Sequence, residues 1–248
     1  MELDVIPSNT LYAGFVILPL LITCWWIWVS GRAHAVLNRD NKPLNSTNSN
    51  SPKAVFSLKA ASLSAVIFVV WLTSAAFVGF QDWAHNFESF PPPVIRVFLV
   101  FIVVTLFIAF SKIGKVLALN TPLCLLIGFQ TFRVPLELLL HQAYLENITI
   151  VEMTYLGRNF DIVTGILALA IAAYSYKRQI SNKIILAWNM LGLAMLINVV
   201  GTGILSMPHA FQVVETDFPN IWLPYVLVCS ALFSHLLIFR YLLEPKKN

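Results

Sequence analysis

Charged residues are scarce in this sequence: they make up 11% of its 248 residues, while 58% are hydrophobic. An ordinary soluble domain carries roughly a quarter charged residues, so this composition excludes that class. A transmembrane helix needs about 17–25 mainly apolar residues. The apolar runs therefore predict an all-α integral membrane bundle of seven transmembrane helices in a single domain, with spans at about 11–30, 58–80, 94–110, 121–145, 160–176, 183–206 and 220–243.

Cysteine is also rare, and basic residues are missing ahead of the first apolar run. Cys24, Cys124 and Cys229 all fall inside predicted spans, so a disulfide framework is not supported. A cleaved signal peptide would begin with a basic region, whereas this chain begins MELDVIPSNT. We therefore expect the first apolar run to be a true span.

The positive charges lie mostly on one side of the predicted bundle. The positive-inside rule then places the amino terminus outside and the carboxyl terminus in the cytoplasm. This distribution and the anionic lipid bilayer account for the net charge of +4, so no nucleic-acid partner is expected. The segment at about 31–57 contains NSTNSNS, which cannot bury a core, and is predicted to be a mobile cytoplasmic linker.

One predicted span carries charges in an apolar setting. In FQTFRVPLELLLHQAY, Arg133, Glu137 and His141 are spaced four residues apart and share one helix face. At about 1.5 Å per residue, Arg133 lies near the membrane centre, with Glu137 about 6 Å and His141 about 12 Å towards the outside. Pro135 lacks an N–H and is predicted to interrupt this helix.

Other predicted spans place polar residues in the same outer half of the membrane. They are Arg96 on the third span, Arg158 and Asp161 at the start of the fifth, and Asn198, Thr202 and Ser206 on the sixth. A charge in hydrocarbon costs at least a few kcal/mol, so these side chains should face one another or a water-filled cavity. The pattern predicts an outward-facing polar pocket lined by Arg96, Arg133, Glu137, His141, Arg158, Asp161, Asn198 and Thr202. The same depth estimate leaves His235 and Asn189 in the inner half.

Each of these residues also has a simpler interpretation. Arg133 and Glu137 are spaced to form a self-neutralising intrahelical ion pair. Asp161 is placed to pair with Arg158 or to favour the helix amino terminus through the dipole. His141 and the polar residues of the sixth span fit hydrogen bonding between helices. Their coincidence at one depth is what favours a pocket.

The sequence argues against several chemistries. The motifs HExxH and GxSxG are absent. The last span has no lysine for a retinal Schiff base, and the depths of His141 and His235 differ by about 17 Å, too much for one haem iron. No metal site is predicted and the cofactor remains unknown.

The segments FRVPLELLLHQAY and LGRNFDIVTGILA resemble parts of uncharacterised bacterial multi-pass inner-membrane proteins. This resemblance implies the bacterial cytoplasmic (inner) membrane but no activity. The leading hypothesis is binding or transport of a small polar or anionic solute or of protons. The alternatives are a membrane-embedded enzyme or sensor for a lipid or extracytoplasmic ligand, with Glu137, His141 and Asp161 as acid-base groups, and a non-catalytic accessory subunit. Oligomeric assembly is left open.

Overall fold

The computed structural model describes residues 7–40, 56–86, 91–205 and 218–244, and all regular secondary structure within these ranges is helical. The α-helices are α1 (Asn9–Asp40), α2 (Leu58–Gly79), α3 (Pro93–Phe110), α4 (Lys112–Asn120), α5 (Leu123–Phe129), α6 (Arg133–Leu145), α7 (Asp161–Lys177), α8 (Asn182–Leu205) and α9 (Cys229–Leu243). Short 3₁₀ helices cover Asp82–His85, Gln130–Phe132 and Val151–Met153, and a π-helical stretch covers Leu223–Val228.

Six helical segments in the described part of the chain are long and apolar enough to cross a membrane. Four of them are the single helices α1, α2, α3 and α8. The fifth consists of α5 and α6, and the sixth consists of the π-helical stretch and α9. This indicates an integral membrane protein. Helix α7 fills the place of the fifth predicted span, but its 17 residues reach only about 26 Å at 1.5 Å per residue. The count of seven spans stays a prediction.

Helix α9 lies at the centre of the bundle, where it packs against α3, α4, α5 and α8. Helix α2 is peripheral and packs mainly on α1. Leu63, Val66 and Val70 on α2 and Phe107 on α3 are exposed. Exposed apolar side chains of this kind are expected on helices that face lipid rather than water.

The predicted linker begins too early in the chain. Helix α1 continues to Asp40, so residues 31–40 are helical rather than part of a linker. The segment GRAHAVLNRD contains good helix formers, and Ala33 and Ala35 are buried, which explains why the helix continues. The remainder of that linker, up to residue 55, lies outside the described residues.

A short helix lies between the third and fourth predicted spans. Helix α4 begins where the Ser111 hydroxyl accepts hydrogen bonds from the N–H groups of Ile113 and Gly114. Leu117 and Ala118 are buried on one side of the helix, whereas Lys112 is exposed. With nine residues, α4 is too short to span a bilayer.

Two spans contain a segment that departs from regular α-helical geometry. The 3₁₀ turn Gln130–Phe132 separates α5 from α6, and it lies just before Pro135, so the interruption predicted from this proline is confirmed. Pro135 cannot donate to the carbonyl four residues earlier, and its ring crowds that turn. The last span begins with the π-helical stretch Leu223–Val228, which contains Pro224. Interruptions of both kinds occur often at functional sites.

Candidate functional site

A group of polar side chains is buried where α6, α7, α8 and α9 meet, in the middle of an otherwise apolar bundle. Its members are Gln130, Arg133, Glu137, Asn159, Asp161, Asn189 and His235. Buried polar groups are costly unless they are hydrogen-bonded. The site is defined by the hydrogen bonds among these buried groups and by one carboxylate oxygen that has no hydrogen-bond partner.

Arg133 lies at the centre of the cluster and is only 1% exposed. Its Nη1 forms an ion pair with Asp161 and lies 3.4 Å from the carbonyl oxygen of Gly192. Its Nε donates to Oε1 of Gln130 at 2.9 Å, and its Nη2 lies 3.1 Å from Nε2 of His235. A guanidinium has five N–H donors. Four of them are therefore used by the protein itself.

The contacts of His235 establish its tautomer. Arg133 can only donate, so Nε2 of His235 must accept and the ring proton must sit on Nδ1. That Nδ1–H donates to Oδ1 of Asn189 at 2.8 Å, and Nδ2 of Asn189 donates back to the His235 carbonyl at 3.2 Å. The imidazole is accordingly neutral in this arrangement and orients the guanidinium.

Two glycines allow the helices to approach closely enough to build the cluster. A Cβ on Gly192 of α8 would lie 2.6 Å from Cε1 of His235 and 2.8 Å from Cγ2 of Thr164. A Cβ on Gly165 of α7 would lie 3.2 Å from Cβ of Arg133. Larger residues at these positions would push α8 and α7 away from the side chains that the cluster joins.

Glu137 lies one helical turn after Arg133 on α6 and contacts Asn159. Nδ2 of Asn159 donates to its Oε1 at 2.6 Å, and the same amide nitrogen donates to the Met153 carbonyl at 3.1 Å. Oδ1 of Asn159 accepts from the backbone N–H of Asp161 at 3.2 Å, so this asparagine connects the Glu137 carboxylate to the first residue of α7. Oε2 of Glu137 is buried and has no hydrogen-bond partner.

The intrahelical ion pair expected as the simpler interpretation does not form. Among the ion pairs of residues that the structure describes, Arg133 pairs with Asp161 and not with Glu137. Asp161 likewise pairs with Arg133 rather than with its neighbour Arg158. Arg133 and Asp161 cancel each other's charge, and none of the ion pairs among the described residues includes Glu137.

A cavity of about 80 Å³ adjoins these side chains. This is room for several water molecules, each of which needs roughly 10–15 Å³ on the same scale. Arg133, Glu137, Asn159 and Asp161 form its polar wall, and the rest of the lining is mainly aliphatic and aromatic. Both interrupted spans contribute to this lining. The cavity therefore has a charged end and an apolar body.

The structure places the remaining predicted pocket residues outside this cluster. His141 is half-buried, its ring centroid lies 4.8 Å from that of Tyr155, and its Nδ1 is buried without a partner. Arg158 and Arg96 are exposed. Asn198 is also exposed, and its Nδ2 donates to the Arg158 carbonyl at 2.7 Å.

The predicted polar stripe of the sixth span does not face the cavity as a unit. Thr202 is buried, whereas Asn198 lies on the surface, and Ser206 lies outside the described residues. Helix α8 instead contributes apolar residues such as Leu196 and Val199 to the cavity. Asn198 donates to the Arg158 carbonyl and is not part of the cavity lining.

Sequence reasoning missed His235 and Asn189 as members of the site. The depth estimate placed both in the inner half of the membrane, but it located backbone positions and ignored the reach of a long arginine side chain. A histidine alone in an apolar last span was the available signal. Asn159, two residues before Asp161 in GRNFD, is a further member of the cluster that was not among the predicted pocket residues. Within the described ranges, no three His, Cys, Asp or Glu side chains converge as metal ligands.

Comparison with known families identifies a family for most of the chain. A family model described as a domain of unknown function (DUF8737) matches residues 89–243. The matched stretch runs from just before α3 to the end of α9 and contains every residue of the polar cluster, whereas α1 and α2 precede it. No curated protein and no solved structure matches the chain.

Proposed function

Since the chain belongs to the DUF8737 family, whose function is unknown, we propose a function from its buried site: a membrane transporter in which Glu137 carries an exchangeable proton and the adjoining cavity takes a small solute. The observation that carries this proposal is the buried, unpartnered Oε2 of Glu137. An isolated carboxylate in an apolar interior either takes up a proton or pairs with a cation. Intramembrane ionisable residues commonly mark proton or solute pathways.

The interrupted spans support transport over a purely structural role. Discontinuous helices near the membrane centre line the binding sites of many transporters. Here the 3₁₀ turn before α6 and the π-helical stretch before α9 both border the cavity. An accessory subunit that needs polar groups only to hold helices together gains nothing from a carboxylate oxygen with no partner.

We further propose seven spans, with α7 as the fifth, an amino terminus outside, a carboxyl terminus in the cytoplasm, and the bacterial inner membrane as the location. The distribution of lysine and arginine supports this orientation. Under it, the polar pocket faces outward, with His141 about one helical turn outside Glu137.

A membrane-embedded sensor or enzyme for a lipid is the second candidate. The observation that favours it is the mainly apolar lining of the cavity, which suits a hydrocarbon chain. The two functions differ in one measurable respect, since only a transporter moves its ligand or protons across a sealed vesicle.

Dicyclohexylcarbodiimide labelling tests the proton site. This hydrophobic reagent reaches carboxyl groups from the bilayer and reacts with their protonated form. We expect one adduct per chain on the peptide containing Glu137, identified by mass spectrometry, with less labelling as the pH is raised. The adduct should be lost in Glu137→Gln and kept in Asp82→Asn, which alters an exposed carboxylate. Equal labelling of Glu137→Gln and wild type would contradict the proposal.

A further inference from the structure

We propose that the solute of this cavity is an amphiphilic organic cation, which displaces the proton from Glu137 when it binds. This inference rests on the proposed proton site and adds the chemical class of the ligand. Three features of the cavity carry it: the charge balance of its polar wall, the hydrogen bonds already made by Arg133, and the composition of its other walls.

The charge balance of the cluster leaves room for one positive charge. Arg133 is paired with Asp161. His235 accepts a hydrogen bond from Arg133 and is therefore neutral there. The carboxylate of Glu137 has no cation in contact among the residues that the structure describes, and its Oε2 has no partner. A bound cation or a proton would neutralise this group, and the two must compete for it.

The hydrogen bonds of Arg133 make an anionic solute a poor fit. Four of its N–H donors go to Gln130, Asp161, Gly192 and His235, which leaves one on Nη2. Anions such as carboxylates are usually held by two parallel N–H donors from one arginine. An incoming anion would also meet the carboxylates of the same wall, and like charges repel.

The remaining walls indicate a hydrocarbon body on the ligand. They include Val94, Phe98, Leu136, Leu196, Val199 and Leu223. Apolar walls with a few convergent polar groups are typical of sites for small organic ligands. A ligand with a positive head beside Glu137 and an alkyl body along these residues satisfies both ends of the cavity.

Binding then follows a simple exchange. The carboxylic acid of Glu137 gives up its proton to water, and the resulting carboxylate forms an ion pair with the cation. No covalent bond forms, and one proton is released for each cation bound. His141, about one turn along α6, lies between Glu137 and the proposed outer surface.

Hexyltrimethylammonium is a suitable probe because its charge does not titrate. We would add it to purified full-length protein in weakly buffered detergent solution containing a pH-indicator dye. Wild type and Asp82→Asn should release one proton per chain at saturation. Glu137→Gln should release none and bind about tenfold more weakly or worse, as expected for the loss of a charge-assisted contact. Glu137→Asp keeps a carboxyl group and should still release a proton, which guards against misfolding of the glutamine variant.

Matched ligands separate the possible outcomes. Hexanoate, with a similar chain and a negative charge, should neither release a proton nor depend on Glu137. Carbodiimide labelling of Glu137 without proton release on adding hexyltrimethylammonium would overturn this inference and leave the proton site standing. Loss of both signals would overturn both proposals. Saturable hexanoate binding that depends on Arg133 would also overturn the inference in favour of an anionic ligand.

Discussion

The buried ion pair between Arg133 and Asp161 makes the sharpest prediction about stability. Removing one partner of such a pair leaves an uncompensated buried charge and typically costs about 3–5 kcal/mol. Asp161→Asn should therefore destabilise the protein by about this amount, because Arg133 is only 1% exposed and would keep its charge without a carboxylate partner. Arg133→Met should cost a similar amount, since it leaves the Asp161 carboxylate unpaired and also removes the donor to Oε1 of Gln130 and Nε2 of His235.

The double variant distinguishes a true pair from two independent losses. With both charges removed, the combined destabilisation should be smaller than the sum of the single effects by ~0.5–3 kcal/mol. The measurement is unfolding in mixed micelles of increasing sodium dodecyl sulfate fraction, followed by far-ultraviolet circular dichroism. Lys115→Met is the control, because Lys115 pairs with Glu244 at an exposed site and should change stability little. Additive losses for Arg133→Met and Asp161→Asn would refute this reasoning.

Two further predictions concern packing and pH. Gly192→Ala should destabilise the protein by ~1–3 kcal/mol in the same unfolding assay, since the added Cβ would meet the His235 ring. Gly201 has open space around it, so the control variant Gly201→Ala should be at least as stable as wild type. The hydrogen bond from Gln142 lowers the pKa of the Glu146 carboxyl group. The contribution of this carboxylate to the free energy of unfolding is therefore complete above the ordinary pKa of 4.5 and is lost as the pH falls through the lowered pKa. The thermal unfolding temperature of wild type should therefore exceed that of Glu146→Gln at neutral pH, and this difference should vanish in strong acid. A difference that does not change with pH would contradict the prediction.

Helix positions followed from the sequence wherever apolar runs were long and bounded by turn-forming residues. The predicted third span, 94–110, corresponds to Pro93–Phe110, and the sixth, 183–206, corresponds to Asn182–Leu205 in the described residues. Short helices of mixed polarity are harder to predict from the sequence. Helix α4, for example, forms because of the Ser111 cap and its packing rather than because of an apolar run. The end of α1 was missed because Ala33 and Ala35 are buried by tertiary contacts that composition does not show.

The sequence indicated three members of the cluster, Arg133, Glu137 and Asp161, but not the contacts between them. Four-residue spacing placed Arg133 and Glu137 on one helix face, yet the arginine pairs across to Asp161 on α7. Which carboxylate a long side chain reaches depends on how α6 and α7 pack, and spacing along one helix does not determine that. His235 was assigned to another depth for the same reason, since only the close approach at Gly192 brings it to Arg133.

Proton movement across sealed vesicles tests the central claim, that Glu137 carries an exchangeable proton for transport. Proteoliposomes loaded with a pH-sensitive dye and with hexyltrimethylammonium as the exchanging cation, with the membrane potential held near zero by potassium and valinomycin, receive an acid pulse outside. Vesicles containing wild type or Asp82→Asn should acidify faster than protein-free vesicles, and those containing Glu137→Gln should match the protein-free rate. Equal rates for wild type and Glu137→Gln, or for wild type and protein-free vesicles, would contradict the account.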